Sequence, residues 1–173
     1  MIASRRELIG LGGGACAALA LGLVGAAAAE NVVEIAMQGR GDGSKVWFDP
    51  IGVLIMPGQT VRWTNRNPGN SHTSTAYHPA NFDRPMRMPA GANPWHSDFL
   101  LPGETFSITL TVEGVYDYYC VPHEHAGMVG RIIVGSPGDH GWTADGGDLP
   151  EAALKAFPAV ERIMQAGTVH PSW

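Results

Sequence analysis

Between Tyr118 and Gly130 the sequence reads YYCVPHEHAGMVG, which places one thiol, two imidazoles and one thioether within thirteen residues. Cys120 is followed by His123 three positions on and by Met128 five beyond that. Thiolate and thioether are soft donors, and imidazole suits several transition metals, so this set points away from calcium or magnesium and toward copper or zinc. One loop cannot complete such a site. A second imidazole must arrive from another part of the chain, and His72 in NPGNSHTST is the natural candidate, because it follows the strand-like TVRWTN as a neighbouring turn would. His72, Cys120 and His123 as strong ligands, with Met128 as a long axial one, form the trigonal arrangement that suits copper and one-electron transfer. The sulfur donors favour Cu(I) and the imidazoles retain Cu(II), so neither oxidation state reaches its ideal geometry.

The elements that must position these residues are strands. VVEIAM starts the series, and VLIMPGQTVRWTN reads as two strands joined at Pro57-Gly58. FLLPGETFSITLTVEGVYDYYC repeats the device at Pro102-Gly103, where proline sets the first turn dihedral and glycine accepts the positive one. Phe106, Ile108, Leu110 and Val112 then alternate with Ser107, Thr109 and Thr111, the period of a half-buried strand. Cys120 should end the strand that follows, so that His123 and Met128 lie on the loop turning back into VGRIIVG. Several short strands in about 105 residues predict an all-β fold, an antiparallel Greek-key sandwich or barrel. Tyr77 to Ser97 interrupts the strands with prolines, Asn and Gly and reads as a long ordered excursion. Within it Arg84, Met86, Arg87 and Met88 are expected at the loop surface, while Trp47, Trp63, Tyr116 and Tyr118 are expected in the core or at its corners.

The two ends differ from this body. Residues 1–29 read as an export leader of the twin-arginine type, with Arg5-Arg6 before a Gly/Ala-rich apolar run and Ala27-Ala28-Ala29 as the processing site. A retained membrane anchor is the competing reading of that run. Residues 30–135 form the single domain, and residues 136–173 form a polar linker and a helical C-terminal tail. In that tail Leu154, Phe157, Val160, Ile163 and Met164 fall near one helical face, Pro158 restarts the helix and Gly167 caps it. The chain carries 11 Lys+Arg against 16 Asp+Glu, and without Arg5, Arg6 and Glu7 the balance is 9 against 15, a net charge of −6. Nucleic acid is excluded as a partner on that ground. Cys16 leaves with the leader, so Cys120 is a lone thiol in an exported chain and cannot serve an internal disulfide.

The order PGQTVRWTN, His72, PGETF, GVYDYYC and Cys-x2-His-x4-Met resembles that of small blue copper proteins, cupredoxins of the plastocyanin and pseudoazurin type, from about Val32 to Val134. The resemblance implies a cupredoxin fold and one type 1 copper ion bound by His72, Cys120, His123 and Met128, with the His123 imidazole as electron port. It implies an electron carrier rather than an enzyme, shuttling between redox proteins such as a c-type cytochrome or a membrane or periplasmic oxidoreductase. The expected state is a periplasmic monomer without a small-molecule substrate. Thr73 stands where the family often has Asn after the first ligand His, and its hydroxyl can bond the segment around the cysteine in the same way.

The rivals are a periplasmic copper carrier, a zinc site on the same ligands, and a fragment of a copper oxidase or nitrite reductase. The last needs a second set of ligands, and His78, His96 and His125 make no recognisable one. Those three, with His140 and His170, are expected at the surface.

Overall fold

The computed structural model describes residues 32–138, 142 and 147–172. The expected leader and its processing site, and His140, lie outside them. Among the described residues nine strands, two short helices and one 3-10 turn follow one another. They are β1 (Val32–Gly39), β2 (Val46–Asp49), β3 (Gly52–Ile55), β4 (Gln59–Asn65), β5 (Thr75–Ala76), β6 (Thr105–Leu110) and β7 (Gly114–Tyr119). The 3-10 helix Val121–Ala126, β8 (Val129–Val134), α1 (Glu151–Ala156), α2 (Val160–Ala166) and β9 (Thr168–Val169) complete the series. Two sheets result, one of four strands in the order β2-β1-β4-β6 and one of five in the order β5-β7-β8-β3-β9.

The β-sandwich agrees with the sequence, but it is not purely antiparallel: β1 runs parallel to β4, and β3 parallel to β8. The cause is the Pro57-Gly58 turn. Its hydrogen bond from Gln59 N–H to Met56 O (3.1 Å) forms as expected, yet it passes the chain from the five-stranded sheet to the four-stranded one and does not close a hairpin. Each strand must then find distant neighbours.

Alternation packs the space between the sheets. Ile35, Met37, Phe48, Val61 and Trp63 meet Val53, Ile55, Tyr116, Tyr118, Ile132 and Val134, all buried. Trp63 meets Tyr118 edge-on with centroids 5.3 Å apart. Trp95, from the excursion, enters the same core 5.8 Å from Trp63. Trp47 is half-buried on β2.

Strands β7 and β8 are buried along their whole length, because their outer face is covered too. Ile163 and Val169 of the tail pack on Ile51, Val115 and Ile133. Leu149 and Ala153 pack on Tyr77, Tyr119 and Val129. The tail therefore docks on the sandwich, and β9 adds an unforeseen strand beside β3. Of the expected stripe Ile163 is buried and Phe157 and Val160 pack half-buried on the sheet, whereas Leu154 and Met164 are 40% and 38% exposed and Ala153, outside the stripe, is buried in their place.

The excursion also departs from its expected exposure. Met88 is in the core and Arg87 is buried. Asp117 on β7 is the reason for the second. A carboxylate carried into the interior needs charged partners; Arg87 reaches it at 2.8 Å and Arg131 at 2.7 Å, and Trp142 Nε1 donates to it at 3.0 Å. Arg131 also donates to Pro158 O at 2.6 Å, which ties the tail to the sheet.

Candidate metal centre

Strand β7 delivers Cys120 to one end of the sandwich, and the 3-10 helix after it folds the ligand loop back on itself. His123 N–H donates to Cys120 O at 3.0 Å, Met128 N–H to His123 O at 3.1 Å, and Cys120 N–H to Met128 O at 3.0 Å. Met128, fully buried, is thus held opposite Cys120 by the backbone. Gly127 allows the reversal with φ 78°, and a side chain there would have its Cβ 3.0 Å from Ala152 O of α1. No other residue fits both conditions at once.

His72 comes from the segment between β4 and β5. Its backbone exchanges hydrogen bonds with Leu100, at 3.1 and 2.8 Å. Asn65, at the end of β4, fastens the intervening turn by donating to Asn70 O (2.8 Å) and Leu100 O (2.9 Å) and accepting from Asn67 N–H (2.9 Å). Nothing in the sequence marks Asn65 for this role beyond its place at a strand end.

These supports bring three of the four anticipated ligand residues to one point. His72 Nδ1 lies 3.2 Å from His123 Nδ1 and 3.6 Å from Cys120 Sγ, which is 3.4 Å from His123 Nδ1. A triangle with those sides has its centre about 2 Å from each corner, the length of a metal–imidazole bond. The donor set fits a metal ion chemically as well, since two imidazole nitrogens and a sulfur aimed at one another hold protons for at most two of their three mutual contacts. Without a cation the site is held neutral. Burial pushes the Cys120 thiol up to about 12, against the opposing hydrogen bonds from Thr73 and His123. Burial, then the neighbouring His123, brings His72 down to about 4, and burial lowers His123.

Thr73 meets the expectation placed on it. Its N–H donates to Cys120 Sγ at 3.3 Å, and its hydroxyl accepts from Val121 N–H at 2.9 Å. The loop is braced on its other side by Glu124, which is buried and accepts from Tyr77 OH at 2.8 Å and from Arg84. Arg84, expected at the surface, thus reaches inward, and Tyr77 stacks on Tyr119 with centroids 4.4 Å apart. The remaining imidazoles among the described residues stay out of the cluster. His125 is exposed, His78 accepts from Ala80 N–H (3.0 Å), and His170 pairs with Asp49 (2.6 Å). His96 differs from its expected surface role, being mostly buried and bonded to Thr75.

Residues 35–135 match the family model of copper binding proteins of the plastocyanin/azurin family. The chain is 38% identical over 136 residues to the chloroplastic plastocyanin of Chlamydomonas reinhardtii, covering 76% of this chain and 84% of the relative. It is 39% identical over 97 residues to the plastocyanin of Scenedesmus fuscus, covering 54% and 91%. Among solved structures it is similar to a pseudoazurin from Sinorhizobium, with a TM-score of 0.58 and 26% identity over 79% of this chain and 98% of that one. A pseudoazurin from Hyphomicrobium denitrificans shares the fold, with a TM-score of 0.54 at 22% identity, covering 72% and 91%.

Proposed function

The chain belongs to the plastocyanin/azurin family of copper-binding proteins, and from that premise we propose that His72, Cys120, His123 and Met128 hold one copper ion and that the protein carries single electrons between redox proteins. The observation that carries this reading is the convergence of two Nδ1 atoms and one Sγ around a point about 2 Å from each. Bound copper supplies a one-electron couple at this position.

What the chain's own residues do is hold the ligands still. Asn65 fixes the turn before His72, Thr73 ties the Cys120 segment to it, and Glu124 anchors the His123 helix to the excursion. Ligands fixed by bonds that do not involve the metal cannot follow its preferences, so the geometry stays the same when the charge changes. Within the set, His72, Cys120 and Met128 are fully buried and His123 alone is half exposed, which makes its imidazole the electron port. Phe99 and Leu101, 56% and 57% exposed, flank the residue bonded to His72 and offer an apolar surface at the same end. A partner docks there weakly through a small interface. Its class is a redox protein such as a c-type cytochrome or a membrane or periplasmic oxidoreductase, met by a monomer. The location is periplasmic, supported by the leader-like residues 1–29. Among the described residues no helix is long and apolar enough to cross a membrane. The protein transforms no substrate of its own.

The test is to load the chain with Cu(II) and record visible and paramagnetic resonance spectra with metal content. An intense thiolate-to-copper band at one copper per chain, bleached by ascorbate and restored by an oxidant, is expected. A colourless protein, or one that keeps zinc when copper is offered, would overturn the reading. Met128→Leu should keep the copper and raise the reduction potential, because an axial donor that stabilises Cu(II) is lost; an unchanged potential removes Met128 from the axial position.

A further inference from the structure

A line of hydrogen-bonded side chains leads from the cysteine sulfur toward the surface. The Thr73 amide donates to Cys120 Sγ at 3.3 Å, and the hydroxyl of the same residue is held on the cysteine segment by Val121 N–H, so that its proton is free to choose between neighbours. Its Oγ1 accepts from Val121 N–H and sits 2.9 Å from Thr75 Oγ1. Thr75 Oγ1 is in turn 2.8 Å from His96 Nδ1. Both threonines are fully buried, whereas the His96 side chain keeps 24% of its surface exposed. The carboxylate of Asp98 faces His96 Nε2 at 3.4 Å, the ring of Phe82 meets it edge-on at 5.1 Å, and strand β5 presents to it the neutral hydroxyl of Thr75.

Resting on the copper reading above, we propose that Thr75 and His96 are positioning residues that decide, through Thr73, whether the cysteine sulfur receives a second hydrogen bond. The Asp98 carboxylate beside Nε2 draws the proton of the neutral ring to that side, and proton counting then gives two states. When His96 is neutral with its proton on Nε2, toward Asp98, its Nδ1 can only accept. Thr75 then donates to His96, Thr73 donates to Thr75, and the sulfur has the Thr73 amide alone. When His96 takes a proton from solvent on Nδ1, that N–H donates to Thr75. Thr75 now donates to Thr73, which already accepts from Val121 N–H, and the single Thr73 hydroxyl proton is left to turn to Cys120 Sγ.

The consequence for the electron follows. A hydrogen bond to a thiolate draws electron density from the sulfur and stabilises the state with one electron more. One proton from solvent bound at His96 therefore favours one electron, delivered by the redox partner, at the metal. By linkage, reduction raises the proton affinity of His96 by the same factor. The reduction potential should rise as pH falls through the His96 transition.

The experiment compares wild type with Thr75→Val, Thr75→Ser and His96→Gln, all copper-loaded. Reduction potentials are measured between about pH 5 and 8. Wild type should gain about tenfold in its reduction equilibrium toward acid pH, ~59 mV for one electron. Thr75→Ser should keep that gain, and Thr75→Val and His96→Gln should lose it. A slope common to all four chains belongs to the ligand imidazoles. A second readout needs no copper. In the metal-free protein the Val121 amide proton resonance should follow the His96 titration in wild type and ignore it in Thr75→Val.

Superimposable profiles in wild type and Thr75→Val overturn the relay, and so does a Val121 resonance indifferent to His96. A flat His96→Gln beside an unaltered Thr75→Val means that the imidazolium acts through space, which also overturns it. If no chain shows a reversible copper couple, the copper reading fails, and the Val121 titration still decides the relay.

Discussion

The Asp117 cluster and the ligand cluster are both buried sets of ionisable side chains, yet one is complete and the other is not. Around Asp117 every demand is answered from within the chain: two guanidinium groups and an indole N–H satisfy one carboxylate, and Arg131 continues to a tail carbonyl. At His72, Cys120 and His123 the converging atoms are acceptors or reluctant donors, and burial drives all three groups to their neutral forms. A closed charge set holds elements together, whereas an open one of soft donors waits for a cation. Burial alone does not tell the two apart, but the balance of donors and acceptors does.

Three substitutions and two conditions can break or sharpen that contrast. The largest effect belongs to Asp117→Ala, which leaves Arg87 and Arg131 buried without their carboxylate. It should destabilise the fold by about 3–5 kcal/mol, seen as a lower denaturant midpoint. Cys120→Ser should do the reverse, abolishing the thiolate-to-copper band while the metal-free protein unfolds within ~1 kcal/mol of wild type. A large stability loss there would mean that the ligand cluster is also structural.

The next effect is of acid on the metal-free fold. His72 titrates at about 4 in the folded chain against 6.5 when free. Its neutral form is required by burial, so its contribution is present above pH 6.5 and is lost as pH falls from 6.5 to about 4. The loss is on the order of 3 kcal/mol. Copper should suppress this decline by holding the ring deprotonated, and an equal decline with and without metal would contradict the ligand role. Metal uptake has its own proton count. At pH 7 both imidazoles are already neutral and the thiol, at about 12, is protonated. Binding should therefore release one proton per copper, and affinity should weaken about tenfold for each pH unit lowered. Calorimetry in buffers of different ionisation heat gives the number directly, and zero protons would place the thiol outside the site. The smallest effect is Tyr77→Phe, which removes one of two hydrogen bonds to Glu124 and should cost about 1 kcal/mol without moving the visible band.

The convergence of Cys120, His123 and His72 was legible because two of them share one short loop and the third follows a strand end. The Pro-Gly turns and the alternation of β6 were legible for the same local reason. Arg87 and Asp117 were not, since 30 residues and a turn of the excursion separate them, and only the tertiary fold shows that both faces of β7 are covered. The parallel pairs were hidden by a turn whose sequence suits a hairpin equally well. Nothing in the sequence singles out Thr75, and His96 reads as an ordinary surface imidazole. Their alignment depends on the bridge between β5 and the end of the excursion, which no spacing rule encodes.

Strand β9 is short, yet it lies where β3 would otherwise end the five-stranded sheet. Ile51 N–H donates to Val169 O at 2.9 Å and Leu54 N–H to Gly167 O at 2.7 Å. Taken away, those bonds would leave a row of unpaired amides beside Val53 and Ile55, a template on which a second molecule could add its own strand. The same residues that finish the sheet therefore act as a guard against self-association, and a copy clipped before Gly167 should be the one that aggregates.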